Sequence, residues 1–489
     1  MQSGELRDKI AGSVAWSMAE KAGTVLLQLV VSIVVARRLA PEDYGVMAIL
    51  TVFTAVALIV VDSGFSQALI RGAEPSDDDC RAVFGFNMAM SVAAYALLTL
   101  FSPLLARWYG EPMLARIAPV LLLLIPINAL GVVQNTMLTR RFRFDIISKI
   151  IFASSLASGV IAVAMAVTGC GVWSLVGQRV SQMGVKSALL WSFGGWRPTR
   201  RNSRNERTAK AGAVLGRLAP FGLRILFTDL VNTIYTNISS LFVGRMSVTT
   251  LGFFNQAQKL KDVPVLAATQ SIQNVTFPAL SSIGGEQRKF AESYRLIMLM
   301  TAYAVFPVMA GLAAVADDMF ALLLGAKWMP TVPYFRVLCL TGLFAPTASV
   351  ALNVLKVRSD GRAVVRAEIV KKAFMTVALA VTIPMGVGWL VWGLVASAAV
   401  DFAVNVVMAG RYSQSGAAAI LRTLLPVAAV TAAMYAAIVL LLGAMAEAAV
   451  TLRIAVGVAA GAAVYVGLSL LFRLDAAAHV RAIIMKRAG

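Results

Sequence analysis

Histidine occurs once in this chain, as His479, and cysteine three times, as Cys80, Cys170 and Cys339. A single histidine near the C-terminus leaves no histidine metal site and no Ser-His or Cys-His nucleophile pair. The cysteines stand far apart, so neither a disulfide framework nor a CxxC redox motif is available. Charge is also scarce. Asp, Glu, Lys and Arg together make 14% of the 489 residues, against about 25% in soluble domains. No P-loop, EF-hand or dinucleotide fingerprint occurs, so an ATP-driven pump would need a separate subunit to hydrolyse ATP. No polar stretch is long enough to be a soluble catalytic domain. These absences argue against an enzyme, and no cofactor is expected.

What the chain has in excess is apolar sequence: 59% hydrophobic residues and a mean hydropathy of +0.78. Runs such as Val83–Leu105, and Val377–Met385 leading into Leu390–Val400, are membrane spans by length and composition. At roughly 30–35 residues per span with its loop, the length accommodates about 14. We place them at 12–36, 44–70, 82–105, 113–138, 146–168, 171–191, 213–243, 250–283, 294–316, 333–355, 364–386, 389–410, 421–443 and 450–472. Lipid offers no partner to an open backbone, and nothing alternates like a barrel strand, so the fold class is all-α and polytopic.

Acid is the minority charge. Lys and Arg number 44 against 24 Asp and Glu, a formal net charge of +20. In a soluble protein this would suggest nucleic acid. Here the basic residues cluster at alternate junctions, so no nucleic-acid partner is expected. Arg140, Arg141, Arg143 and Lys149 surround the 4–5 junction, and Arg197, Arg200, Arg201, Arg204, Arg207 and Lys210 fill the 6–7 junction. Lys356, Arg358, Arg362, Arg366, Lys371 and Lys372 surround the 10–11 junction, and Arg473, Arg481, Lys486 and Arg487 end the chain. The 5–6 and 11–12 junctions have no Lys or Arg. The positive-inside rule then puts both termini in the cytoplasm. The first apolar segment carries Glu20 and Lys21 and no cleavage signal follows it, so it is expected to be retained as a span.

The segment Trp196–Gly212 is the one clear composition break, and the chain on either side of it repeats. At an offset of 207, Arg38 matches Arg245, Leu39 matches Met246, Ala40 matches Ser247 and Gly45 matches Gly252. At an offset of 219, Gly169–Val176 matches Gly388–Val395. The expected organisation is therefore a six-helix bundle over residues 1–195, a basic cytoplasmic linker over 196–212 and a second bundle over 213–412. Two extra helices and a basic cytoplasmic tail fill 413–489. Parallel repeats of this kind place a substrate site between the halves.

Polar residues within the spans collect in stripes. Ser17, Lys21, Thr24, Gln28 and Ser32 recur at steps of three and four on span 1, and Arg224, Thr228, Tyr235 and Ser239 on span 7. Asn255, Lys259, Asp262, Thr269 and Gln273 stripe span 8, with Lys261 beside them and Pro264 a candidate kink. A basic side chain at mid-bilayer costs about 2.5–3.5 kcal/mol, so these must meet water, a counter-charge or an anionic ligand. Lys21 has Glu20 beside it, and Lys259 has Asp262 at i+3 as a structural partner. As substrate-binding candidates we take Lys21, Gln28, Arg224, Lys259 and Lys261. Asp62, Asp229 and Asp401 are candidates for coupling to protons or Na+. The GxxxG run Gly457–Gly461 fits plain close packing in an Ala-rich helix.

Several stretches resemble a known family: Ala36–Gly45, Gly171–Val176, Gln258–Pro264 through Phe277–Ser281, and Leu324–Trp328 followed by Pro333. They are similar to the Wzx-type O-antigen and exopolysaccharide repeat-unit flippases, colanic-acid exporter branch, of the multidrug/oligosaccharidyl-lipid/polysaccharide exporter superfamily. The resemblance implies a two-lobed transporter in the bacterial inner membrane that moves an undecaprenyl-diphosphate-linked oligosaccharide outward for lipopolysaccharide or exopolysaccharide synthesis. It implies membrane lipids, a polysaccharide polymerase and chain-length proteins as partners, and a tail groove along spans 13 and 14. A cationic cavity suits the diphosphate. The alternative is a cation-coupled multidrug exporter of the same superfamily, which would want an acidic cavity.

Overall fold

The structure is a computed structural model, and it describes residues 23–71, 75–198, 204–283, 286–359 and 361–488. Helices account for nearly all of them. They form two compact units, residues up to Gly252 and residues from Phe253 onward.

The first unit contains α1 (residues 23–38), α2 (Pro41–Asp62), α3 (Phe65–Arg71), α4 (Asp77–Tyr109), α5 (Pro112–Leu122) and α6 (Leu124–Arg140). It continues with α7 (Phe144–Val167), α8 (Trp173–Phe193), α9 (Arg204–Met246) and the start of α10 (Val248–Ser282). The second unit takes the rest of α10, then α11 (Gln287–Ala314), α12 (Ala316–Leu323), α13 (Val332–Arg358), α14 (Arg362–Thr382), α15 (Val387–Ser413), α16 (Ala417–Ala444), α17 (Val450–Leu471) and α18 (Asp475–Ala488).

Each expected span from the second to the fourteenth coincides with helix, and the first does over its described part. Two spans expected to be continuous are broken. Span 44–70 stops at Asp62, because Ser63 and Gly64 both take left-handed backbone, with φ of 48° and 69°. Gly64 is needed there twice over: its φ disfavours other residues, and a Cβ would lie 2.4 Å from the Gly222 carbonyl oxygen on α9. Span 113–138 is interrupted at Leu123, between α5 and α6.

Nine helical segments among the described residues are long and apolar enough to cross a membrane. Among the remaining long helices are α8, α9, α10 and α14, which carry the ionisable residues discussed below. Helices that line a wet interior need not be apolar all round.

Local signals fix the ends. Ser76 caps α4 by accepting from the Asp79 amide at 3.1 Å, while the Asp79 carboxylate accepts from the Ser76 amide at 3.1 Å. This capping box contributes about 1 kcal/mol. Helix α9 begins at Arg204, inside the stretch expected to be a linker, because Arg204–Ala213 is rich in helix-forming Ala, Arg, Lys and Glu. Trp196 is held before it, its indole N–H donating to Asp77 Oδ1 at 2.7 Å. Helix α9 then packs on α2, α3 and α4, with Arg217 paired to Asp79. That packing is why the compact units divide after α9 rather than at 196–212.

In the second unit, Phe290, Tyr294 and Met298 of α11 pack with Val350 and Val354 of α13, Val406 of α15 and Val427 of α16. The close-packing expectation for the GxxxG run holds. A Cβ on Gly461 would meet Ile438 Cδ1 at 2.7 Å, so this face of α17 seats directly on α16. Arg453 of α17 pairs with Asp318 of α12 at 3.3 Å. Burial pushes the Asp318 carboxyl above its ordinary range, and Arg453 partly offsets it.

Candidate functional site

Helix α8 carries Arg179, Gln182, Met183 and Lys186 at steps of three, one and three, which places them on one face. This face lines a cavity of about 430 Å³ in the first unit, opposite Thr51 and Thr54 of α2 and Ser154 of α7. The two threonine hydroxyls donate back into their own helix, to the carbonyls of Met47 and Leu50 at 2.7 and 2.6 Å. No carboxylate is among the described residues lining this cavity. Two cations therefore face a half-apolar space, and an anion is the ligand that such a space favours.

A polar node anchors the cavity wall. Gln28 of α1 and Gln182 of α8 both donate to Ser155 Oγ of α7, each at 3.3 Å. A second cavity of about 220 Å³ shares Met183 and Lys186 with the first and is lined further by Asp62, Ser66, Asn128 and Asn135. Ser66 donates to Asp62. Of the expected residues, Asp62 lines this second cavity and Gln28 shares Ser155 with the cationic face.

The other expected residues fall elsewhere. Lys21 lies outside the described residues. Arg224 is exposed on α9, and Lys259 is exposed on α10. Lys261 is largely buried, 2.6 Å from Asp262 Oδ1 and 3.5 Å from Thr341 Oγ1. The acid expected to pair with Lys259 at i+3 is thus engaged by its own neighbour. Asp401 is held by Lys371 at 2.8 Å, and Lys371 also contacts Glu368 Oε1 at 2.5 Å. Lys371, one of the basic residues around the 10–11 junction, sits more than two turns inside α14 as the bridge between two carboxylates. Lys371→Ala strands both acids. The side chains of Glu368 and Asp401 are 38% exposed, so we expect a loss of about 1–3 kcal/mol, less than for a fully buried pair. Folded yield in membranes should fall, and Lys371→Arg should restore it.

Arg179 and Lys186 were missed by the sequence reading. The signal was present in span 6, at the same three-and-four spacing that marked span 1.

A second feature joins the first turns of α2 and α10. A Cβ on Gly45 would lie 1.9 Å from the Val248 carbonyl oxygen, and one on Gly252 would lie 1.9 Å from the Pro41 carbonyl oxygen. Thr249 Oγ1 donates to Glu42 Oε1 at 3.0 Å, a separation of 207 residues. Positions 41, 42 and 45 thus meet 248, 249 and 252, their counterparts at the repeat offset, in a reciprocal main-chain crossing.

The multi-pass helical chain has the form of a membrane transporter. Its fold is similar to that of the lipid II flippase MurJ in an inward closed conformation, with a TM-score of 0.67 over 94% of this chain and 99% of that one, at 14% identity. Residues 34–333 match the family described as Polysaccharide biosynthesis protein, and the chain belongs to that family. The succinoglycan biosynthesis transport protein ExoT of Rhizobium meliloti (strain 1021) is 25% identical over 344 residues, 70% of this chain and 68% of that one. The teichuronic acid biosynthesis protein TuaB of Bacillus subtilis (strain 168) is 28% identical over 309 residues, 61% of this chain and 62% of that one. The resemblance to the Wzx-type flippases read from the sequence holds on these matches.

Proposed function

We propose that the protein flips an undecaprenyl-diphosphate-linked oligosaccharide across the bacterial inner membrane, for assembly of a surface polysaccharide. The observation that carries this is the cavity with Arg179 and Lys186 and no carboxylate among the described residues that line it. A diphosphate crossing hydrocarbon needs compensating charge, and guanidinium and ammonium groups supply it. A drug cation would find repulsion there, which places the multidrug reading second. The family and the relative named as a transport protein support transport rather than catalysis.

Asp62 and Asp229 are the proposed coupling residues, carboxylates whose charge a bound proton or Na+ would neutralise. The reciprocal contact at Gly45 and Gly252 supports two repeats related by an axis along the membrane normal. Both termini are assigned to the cytoplasm by the loop charges, and the polymerase and chain-length proteins of the pathway are the proposed partners.

Removing the protein from its host tests this. Surface polysaccharide should stop while its lipid-linked repeat unit accumulates on the cytoplasmic leaflet. Unchanged polysaccharide with greater drug sensitivity would replace this reading with the multidrug one.

A further inference from the structure

The second unit holds a groove of about 740 Å³ where residues 295–299 of α11 and 422–433 of α16 meet the end of α17 and the start of α18. One end of it is cationic. Arg295 comes from α11, Arg422 from α16 and Arg473 from the three residues that join α17 to α18. All three are exposed. Arg295 donates to Thr423 Oγ1 at 3.3 Å, which fixes its guanidinium at the rim. Among the described residues lining the groove Asp475 is the one carboxylate, so three guanidiniums face a single acid there. The rest of the wall is apolar, from Leu299, Val427, Val430 and Leu468.

Arg473 has a φ of 47°. At this position after a helix, glycine is the residue that meets no steric cost. An arginine held there costs backbone energy, and its guanidinium is the group that this placement delivers to the groove. Around the rim, Leu425, Leu471 and Phe472 are 70%, 73% and 65% exposed. Large apolar side chains so exposed at a span end mark a surface that faces hydrocarbon, so the groove opens sideways to lipid.

We propose that this groove binds an anionic glycerophospholipid: the phosphodiester sits among Arg295, Arg422 and Arg473, and the first part of an acyl chain lies against the apolar wall. Guanidinium groups pair with phosphate oxygens in bidentate fashion, and basic pockets between membrane helices at the span ends suit such headgroups. The assignment is independent of the transported substrate.

The test uses the purified full-length protein in detergent, titrated with phosphatidylglycerol or phosphatidylcholine and read by native mass spectrometry. One phosphatidylglycerol should bind with at least tenfold preference over phosphatidylcholine. The variant carrying Arg295→Gln, Arg422→Gln and Arg473→Gly should lose that preference. Arg473→Gly alone should weaken binding while thermal stability holds or rises, because glycine relieves the backbone; a loss of stability there would contradict the strain argument. Equal retention of phosphatidylglycerol by wild type and triple variant overturns the proposal. So does efficient displacement of it by equimolar farnesyl diphosphate, which would give the groove to a diphosphate lipid.

Discussion

Arg179→Gln or Lys186→Gln is expected to lower transport roughly ten- to hundredfold while leaving the folded amount of protein unchanged. Both side chains line the same cavity in the first unit, and no carboxylate is among the described residues that line it with them. A charge-assisted hydrogen bond to a phosphate is worth about 1.5–3 kcal/mol, and about 1.4 kcal/mol is a factor of ten, which sets the range. The distinction from a structural role is sharp. A cation that balances a buried acid strands that acid when removed, as Lys371 would strand Glu368 and Asp401. Neutralising Arg179 strands nothing in its cavity and removes a desolvation cost, so the helix should insert at least as well as before. Lys186→Arg keeps the charge and should keep most of the transport. The measurement is lipid-linked oligosaccharide moved per folded molecule in everted membrane vesicles. A fall in folded protein that matches the fall in transport would assign these residues to the fold instead.

Much of the fold was legible because lipid imposes one-dimensional rules. Apolar runs of about 20 residues must be helices, and α13, α15, α16 and α17 follow the expected spans closely. The breaks after Asp62 and at Leu123 were less legible. The first depends on a left-handed Ser63, a residue that forms ordinary helix elsewhere in this chain. The site was legible in kind but not in address. Composition and stripes predicted cations facing a wet interior; of the residues they singled out, Asp62 lines the smaller cavity and Gln28 donates to Ser155 beside the larger one. Which cations pair off is a matter of three-dimensional neighbours. Asp262 takes Lys261 at 2.6 Å, and Asp401 takes Lys371 from another helix at 2.8 Å. Arg179 lines a cavity with no carboxylate among the described residues, while Lys186 lines that cavity and also the smaller one that holds Asp62; a stripe with no acid near it in sequence is a weak pattern until the facing helices are known.

The crossing at Gly45 and Gly252 gives the other large expected effect. At both positions a Cβ would lie 1.9 Å from a carbonyl oxygen, far inside any allowed contact. The obstacle is main chain on main chain, so no rotamer change relieves it, and even Gly45→Ala forces the first turns of α2 and α10 apart. Overpacking in a well-packed region costs about 1–3 kcal/mol, and a valine at either position should reach the upper end. In a transporter that alternates between states, about 3 kcal/mol against one of them shifts the equilibrium by more than a hundredfold. The chain then stays folded in states where α2 and α10 do not touch, and transport stops because the cycle cannot pass through the closed crossing. Thr249→Cys reports on the closure, since Thr249 is bonded to Glu42 across the crossing at 3.0 Å. In membranes, the cysteine should react slowly with a water-soluble maleimide in the otherwise wild-type chain and several-fold faster with Gly45→Val or Gly252→Val added. The labelling is read in a chain that lacks the exposed Cys170. Gly467→Ala is the control: nothing lies within 4 Å of its added methyl, and alanine is the better helix former, so transport and labelling should be unchanged. Wild-type transport by Gly45→Val with unchanged labelling of Thr249→Cys would show that the crossing forms no part of the cycle.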